Sequence, residues 1–441
     1  MKGRGRNAQS GILPVSAPEP AHTACDNPRM PASAPLPASR ADLQRRLPPI
    51  IAGLSILGPF AIDTYLPAFG SIARDLDATP LQVQQSLTAF IVPFALMALW
   101  HGALSDALGR RRVVLVGLVA FAVASLGAAT AGSIEALWGW RALQGAVAGV
   151  GMTVGRAVVR DVADGPQAQR MLSQATMFFA LAPAVAPIAG GWIDAIAGWR
   201  SVFGFLAAVA LAMTVFCFRY LPETLPPAER VSMRPGPMAR AYAALATHPP
   251  FLRLAAVLAL NFAGFFVYVL AAPAFLPGVL GLAPTAFAWL FVPAVAGTMS
   301  GAFLSSRLAG RLSPVRTIVA GYALMTLSVL GNVAQALLME PPRVPWATLP
   351  LFPYNVGMGL AMAPLQVMLL DTFPERRGMA ASGMAFTLSA GNALVAGVVS
   401  PLLWHSAGAM AGGALACVAG AMALFAWHVR SPSFRPLPTP P

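Results

Sequence analysis

Charge is what this sequence lacks. Only 10% of its 441 residues are charged, whereas a soluble domain carries about 25% because its surface faces water. The shortage speaks against a water-soluble fold, since apolar residues make up 57% and the mean hydropathy of +0.67 extends over nearly the whole chain. Cysteine is scarce too. Cys25, Cys217 and Cys417 stand far apart, so neither a disulfide framework nor a metal site is implied. The histidines, His22, His101, His248, His405 and His428, fall in the tail, in loops or at helix ends, and no enzymatic site is visible. No Gly-Lys-Ser or Gly-Lys-Thr loop is present to cradle a nucleotide phosphate, which argues against ATP drive. The net charge of +13 sits in short clusters between apolar runs, a placement that anchors helix ends rather than binding nucleic acid.

What is present is a succession of apolar runs long enough to cross a bilayer, each of about 20 residues. Six are expected at 49–69, 86–105, 113–131, 134–156, 171–193 and 201–220. Six more follow at 252–275, 285–306, 315–337, 346–370, 379–402 and 406–428, the proline-rich tenth being the weakest. The reading is an all-α polytopic membrane protein of twelve helices in two six-helix halves. Residues 1–47, rich in Pro, Ala, Ser and Arg, read as a disordered tail, with Met30 as an alternative start. The first half then covers 48–220, a charged cytoplasmic linker 221–250, the second half 251–429 and a short tail 430–441.

Arginine placement tests the count, because cytoplasmic loops carry the excess of Lys and Arg. With both termini inside, the inner connections hold Arg110, Arg111, Arg112, Arg156, Arg160, Arg170, Arg219, Arg230, Arg234, Arg240, Arg253, Arg307, Arg311, Arg316, Arg376 and Arg377. The outer connections hold only Arg74, Arg200 and Arg343. A wrong number of spans would scramble that alternation. A faint echo between the halves, Gly102 to Arg112 (GALSDALGRRR) after span 2 and Gly301 to Arg311 (GAFLSSRLAGR) after span 8, suggests an internal repeat with Ser305 in place of Asp106.

Charges inside the spans are the informative ones, since burying one is costly and usually functional. Asp63 in span 1 and Arg141 in span 4 fall at equal expected depth, roughly 10 Å below the outer surface at about 1.5 Å per residue. A pair is geometrically allowed: either a proton-exchanging acid sensed by its arginine, or a permanent structural bridge. Asp106 and Arg110 at the end of span 2, Asp161 at the end of span 4 and Gly378 at the start of span 11 share the cytoplasmic face. Asp106 is expected to latch towards span 11 while Arg110 pairs with Asp161, against the plainer reading of solvated loop charges. Span 5 carries Pro183 and Pro187 with Ala182, Ala186 and Gly190 on one face, a bendable and closely packing helix. Polar and aromatic side chains within spans, Tyr65, Asn261, Tyr268, Gln366 and Asn392 foremost, are candidates to line a ligand cavity.

These local sequences resemble the major facilitator superfamily over about residues 48–430. Gly102 to Arg112 is similar to its loop signature after span 2, Leu137 to Gly145 (LWGWRALQG) to its span 4 signature, and Ala182 to Gly191 to its antiporter signature. With AIDTYLPA at 61–68 and LPETL at 221–225, the chain resembles Bcr/CflA-type drug exporters. The resemblance implies drug/proton antiport in a bacterial inner membrane, driven by the proton gradient without a cofactor. It makes Asp63 and Arg141 the proton-coupling residues, Gly102, Asp106, Gly109, Arg110, Arg111 and Asp161 the cytoplasmic gate, and Pro183, Pro187, Gly190 and Gly191 the bend. Ala107 departs from the usual basic residue of the loop signature, and Ala186 from the usual glycine of span 5. The leading expectation is a monomeric exporter of small amphipathic molecules such as chloramphenicol or bicyclomycin. The alternatives are a nutrient importer or facilitator, and a non-transporting receptor or assembly factor that has kept the fold.

Overall fold

The computed structural model describes residues 40–163, 165–230, 235–283, 285–339 and 341–432. Of the tails expected over 1–47 and 430–441, residues 1–39 and 433–441, with Met30 and Cys25, lie outside the described residues, as does Arg234 of the linker, while 40–47 and 430 are helical. Helices build the rest, and among the described residues strand pairing is confined to one isolated bridge between Ala309 and Leu312.

The first span is α1 (Arg40–Asp63), a 3-10 turn (Leu66–Ala68) and the short α2 (Phe69–Asp75). It begins before residue 48 and ends beyond residue 69, because Leu47 at one end and Phe69 and Ile72 at the other are apolar and buried in the bundle. Next come α3 (Pro80–Ala98) and α4 (His101–Leu108), which together replace the single expected span 86–105. Then follow α5 (Arg110–Ala129), α6 (Ile134–Ala148) and α7 (Val150–Val162), α8 (Gly165–Ala197) and α9 (Trp199–Tyr220). The linker carries a helix of its own, α10 (Pro235–Ala246). The second half has α11 (Pro249–Gly278), α12 (Ala288–Leu308), α13 (Pro314–Leu338), α14 (Leu351–Leu370), α15 (Arg377–Leu394), a π turn (Val395–Val399), α16 (Ser400–Leu403) and α17 (Ala407–Arg430).

Among the described residues, eleven helical segments are long and apolar enough to cross a membrane. The twelfth, α14, has 20 residues, but Tyr354, Asn355, Gln366 and two prolines dilute its apolar content. It does not need a uniformly apolar surface, because it packs between α12 and α13 and against α11. Residues 346–350, expected as its first turn, form a separate turn instead.

Local chemistry sets the helix starts. Thr79 opens α3 with a reciprocal capping box to Gln82, and the side chains of Ser133, Ser313 and Ser406 accept from the first turns of α6, α13 and α17. Large apolar residues such as Val116, Val215, Phe218, Leu327, Leu337 and Leu402 remain exposed. A surface that apolar is stable against lipid rather than water.

In the first half α1 packs on α8, α3 on α6 and α5 on α9; in the second, α12 and α13 pack on α14 and α11 on α17. The halves meet through α3 with α15 and α8 with α12. Crossings are tight where glycine removes the side chain. A Cβ on Gly145 would strike the carbonyl of Phe90, and one on Gly301 the carbonyl of Val356. Gly139, on the same helix as Gly145, has open space beside it.

Gly145→Val therefore destabilises the protein by about 1–3 kcal/mol, the usual cost of overpacking, whereas Gly139→Ala leaves the thermal melting temperature in detergent unchanged. Equal melting temperatures for the two variants would show that the α3–α6 crossing is looser than this packing requires.

Candidate functional site

The helical ladder of α1 stops where Thr64 N–H donates to Phe60 C=O at 3.1 Å. The next carbonyl, that of Ala61, accepts instead from Arg141 Nη1 at 3.0 Å. Arg141 is wholly buried on α6, and its environment is built to hold it. Nη1 also donates to Gln144 Oε1 at 2.5 Å, Gln144 Nε2 donates to Ser125 Oγ at 2.7 Å, and Ser125 donates to the Phe121 carbonyl. The guanidinium lies 4.6 Å from the ring centroid of Tyr65 and 4.4 Å from that of Phe90, a cation–π cradle. Nε and Nη2 have no hydrogen-bond acceptor among the described residues.

Arg141 thus does not form the expected pair with Asp63. It holds the backbone one turn before the break, and Asp63, the last residue of α1, lies beyond that hold. Asp63 is 5% exposed, and its carboxyl has no ion pair or hydrogen bond among the described residues. The two stand at one level of the bundle, because Arg141 bonds the Ala61 carbonyl and lies against the Tyr65 ring, on either side of Asp63 in sequence. Ion pairing in a low-dielectric interior needs close approach, and here Arg141 Nη1 turns to neutral acceptors while the guanidinium lies against rings.

Behind the break lies α8. A Cβ on Gly190 would strike the Thr64 carbonyl, so glycine is what lets α8 close on α1 at the level of the break. Ala182 and Ala186 are buried, as are Pro187, Gly190 and Gly191, while Pro183 is half-buried. Both prolines lie inside one continuous helix. The methyl of Ala186 is accommodated at zero exposure.

The arginine-rich end carries the second constellation. Arg110 forms ion pairs with Asp106 and with Asp161, the latter at 3.2 Å, and donates to Ser105 Oγ at 2.6 Å. Its backbone N–H donates to Glu223 Oε1 at 2.9 Å, and the Thr224 hydroxyl donates to Asp161 at 2.7 Å. Sequence reasoning treated LPETL only as a family mark. Its Glu223 and Thr224 close the cluster, and the signal was the pairing of acid and hydroxyl directly after span 6. Gly109 has φ +95°, and a Cβ there would strike Glu223, so this corner requires glycine. Arg111 points elsewhere, donating to the Phe218 carbonyl at 2.7 Å on α9. Asp106 does not reach span 11: it is half-exposed and paired within its own half, and Gly102 and Gly378 have open space around them. Ala107 is half-buried in α4 and adds no charge. Linker helix α10 spans this end, with Tyr242 donating to the Leu99 carbonyl at 2.8 Å and bonded to Ser382 of α15. Burial pushes the Tyr242 phenol up against that opposing bond.

The expected cavity-lining residues divide. Tyr65 is locked inside the first half by Ser86, its hydroxyls 2.7 Å apart, and by Arg141, and Tyr268 accepts from Asn332 inside the second. Each hydroxyl has a partner in its own bundle, and Tyr268 with Asn332 borders a small cavity within the second half. Asn261 is buried, with Oδ1 unpartnered. Gln366 and Asn392 are half-buried, and Asn392 belongs to the stretch 384–393 of α15 whose residues are all partly accessible.

Residues 51–396 match the sequence profile of the Major Facilitator Superfamily. The chain belongs to this family. It is a multi-pass membrane transporter of a small molecule, not an enzyme. The transporter is 31% identical over 364 residues to the uncharacterized MFS-type transporter YdgK of Bacillus subtilis (strain 168), covering 80% of this chain and 87% of that one. It is 28% identical to the bicyclomycin resistance protein homolog of Haemophilus influenzae, covering 83% and 91%. It is also 28% identical to multidrug resistance protein D of Escherichia coli (strain K12), covering 85% and 93%. These whole-length similarities agree with the resemblance to Bcr/CflA-type exporters. The fold is shared with the solved human organic anion transporter MFSD10 (TETRAN), at a TM-score of 0.65 and 18% identity over 87% of this chain and 99% of that one.

Because Arg141 and Asp63 do not pair, Asp63→Asn and Arg141→Lys are expected to affect stability additively. Lysine cannot serve Ala61, Gln144 and two rings at once, and Arg141→Lys costs about 1.5–3 kcal/mol. A double-mutant cycle from melts in detergent should give a coupling within about 0.5 kcal/mol of zero; a coupling well above about 1 kcal/mol would restore the pair.

Proposed function

We propose that this transporter exports small amphipathic drugs or metabolites, of the chloramphenicol and bicyclomycin kind, from a bacterial cytoplasm by proton antiport. The observation that carries the reading is Asp63, an acid buried at a break in α1 with no counter-charge beside it. A buried carboxylate without a partner is expensive, so this conformation favours the neutral acid, and exposure to water on the other side releases the proton. An acid that alternates between these surroundings can exchange a proton against a substrate.

The geometry supports the drive in two further respects. Arg141 keeps the break in place without neutralising Asp63, so the carboxyl stays free to titrate. The partly accessible α15, with Asn392, and Gln366 on α14 offer polar points for an amphipathic molecule. The names of the relatives favour export over uptake: two of the proteins most alike over their whole length are named for resistance to bicyclomycin or to several drugs. In this reading the arginine-rich end and both termini face the cytoplasm of the inner membrane. The working unit is a monomer, because each half already buries polar groups against the other, as Gln84 and Gln85 do.

The test is resistance and proton movement together. Expressed in a pump-deficient host, the wild type lowers accumulation of chloramphenicol or bicyclomycin, and Asp63→Asn falls to the level of the empty vector. In everted vesicles the same drugs evoke proton efflux with the wild type only. Protection by Asp63→Asn equal to the wild type would remove the proton role.

A further inference from the structure

Two hollows open at the arginine-poor end, the larger where the halves meet and the smaller beside it within the second half. The larger, about 620 Å³, is walled by Phe69 and Gln84 of the first half and by Pro273, Val279, Trp404 and His405 of the second. The other, about 500 Å³, shares Val279 and His405 with it. Each is of a size that holds a small molecule. Asp63 and Arg141 line neither.

The seam beside this cleft is specifically bonded. Gln84 Nε2 donates to the Ala396 carbonyl and Gln85 Nε2 to the Gly397 carbonyl, each at 3.1 Å. Both acceptors belong to the π turn Val395–Val399, a distortion found mostly at functional sites. These are neutral hydrogen bonds across the two halves, weak enough to break in each transport cycle. Gln84 is fully buried, and with its amide nitrogen committed, Oε1 is left without a partner.

The walls define the chemistry of an occupant. Among the described residues no Asp, Glu, Lys or Arg lines the larger hollow, so an ion would enter without compensation. Phe69, Trp404 and the prolines present flat apolar faces suited to a ring. The Trp404 indole N–H donates to His405 Nε2 at 2.8 Å, which makes Nε2 the acceptor and Nδ1 the ring's N–H donor. His405 touches both hollows and offers a hydrogen bond there.

We infer that this cleft is a second ligand site, separate from the Asp63 site, for neutral aromatic molecules carrying a hydrogen-bonding group, and that occupancy blocks transport. The walls come from both halves, so the cleft exists only while they are joined at this end. A molecule bound there stabilises that state alone and draws population into it. The inference rests on membership of the transporter family and not on proton coupling.

The probe is N-phenyl-1-naphthylamine, which is neutral and aromatic, carries one N–H and brightens on leaving water. With the purified full-length protein in lipid nanodiscs, saturable binding at one site is expected above the partitioning background. Gly278 lines the cleft and has open space for a side chain, so Gly278→Trp should fill it and weaken binding at least about tenfold. Leu81→Trp, from a half-exposed position on the opposite wall, should do the same, and its melt guards against a folding defect in the first variant. Gln84→Leu with Gln85→Leu should also weaken binding by loosening the seam. Drug export by the wild type should be inhibited over the binding range, and export by Gly278→Trp should resist the probe. Asp63→Asn should bind the probe as the wild type does, even where it fails to transport. Unchanged affinity in both tryptophan variants, purely non-saturable partitioning, or loss of binding in Asp63→Asn would each overturn the inference.

Discussion

A guanidinium buried in a helical bundle must be given acceptors, and at Arg141 the acceptor that decides the architecture is a backbone carbonyl. The Ala61 oxygen taken by Arg141 is the one that a further helical turn of α1 would have used. The break at 64–65, the seat of Tyr65 between Arg141 and Phe203, and the buried helix end at Asp63 all depend on that bond. So does the role of Gly190, because only a displaced Thr64 carbonyl lies close enough to α8 to exclude a side chain there. The cost of burying the cation is offset by Gln144, by Ser125 behind it and by two close aromatic rings. Remove any one of these and Arg141 keeps a buried charge with fewer contacts.

The sequence carried much of this and misled on one point, for physical reasons. Apolar runs and arginine alternation showed the helices, because the bilayer imposes both length and charge placement. The weakest span, α14, was weak because its surroundings are protein, which allows Tyr354 and Asn355 where lipid would not. Arg110 and Asp161 were legible as partners, since opposite charges at the same end of neighbouring spans have few other choices. The pairing of Arg141 with Asp63 was not. Equal depth says nothing about which face of a helix a residue occupies, and a sequence does not reveal that a carbonyl and two rings can satisfy a guanidinium. Nor does a sequence reveal that the hydroxyls of Tyr65 and Tyr268 are matched inside each half by Ser86 and Asn332.

The two halves repeat a plan with unequal chemistry. Ser305, which stands where Asp106 stands, donates to the Leu360 carbonyl at 3.2 Å and gathers no arginine. The second half instead ends α14 at Asp371, paired with Arg377 at 2.7 Å across the loop to α15. Ionic strength is therefore concentrated on the first half, where Arg110 collects three hydrogen-bonded or paired neighbours and Glu223 ties the start of the linker to α5. That cluster rigidifies one half without fastening it to the other.

At this end Tyr242 of the linker bridges Leu99 and Ser382, and the direct fastening of half to half lies at the opposite end and is made of other neutral bonds. Gln84 and Gln85 reach across the seam to carbonyls that a π turn has released, with no charge on either side. A buried ion pair is costly to separate wherever either partner stays buried as an uncompensated charge, whereas an amide and a carbonyl exchange one neutral acceptor for a water at little net cost. An end that must open and close repeatedly is better served by the second kind. The distribution follows that logic: charges hold together what moves as a unit, and neutral amides hold what must part.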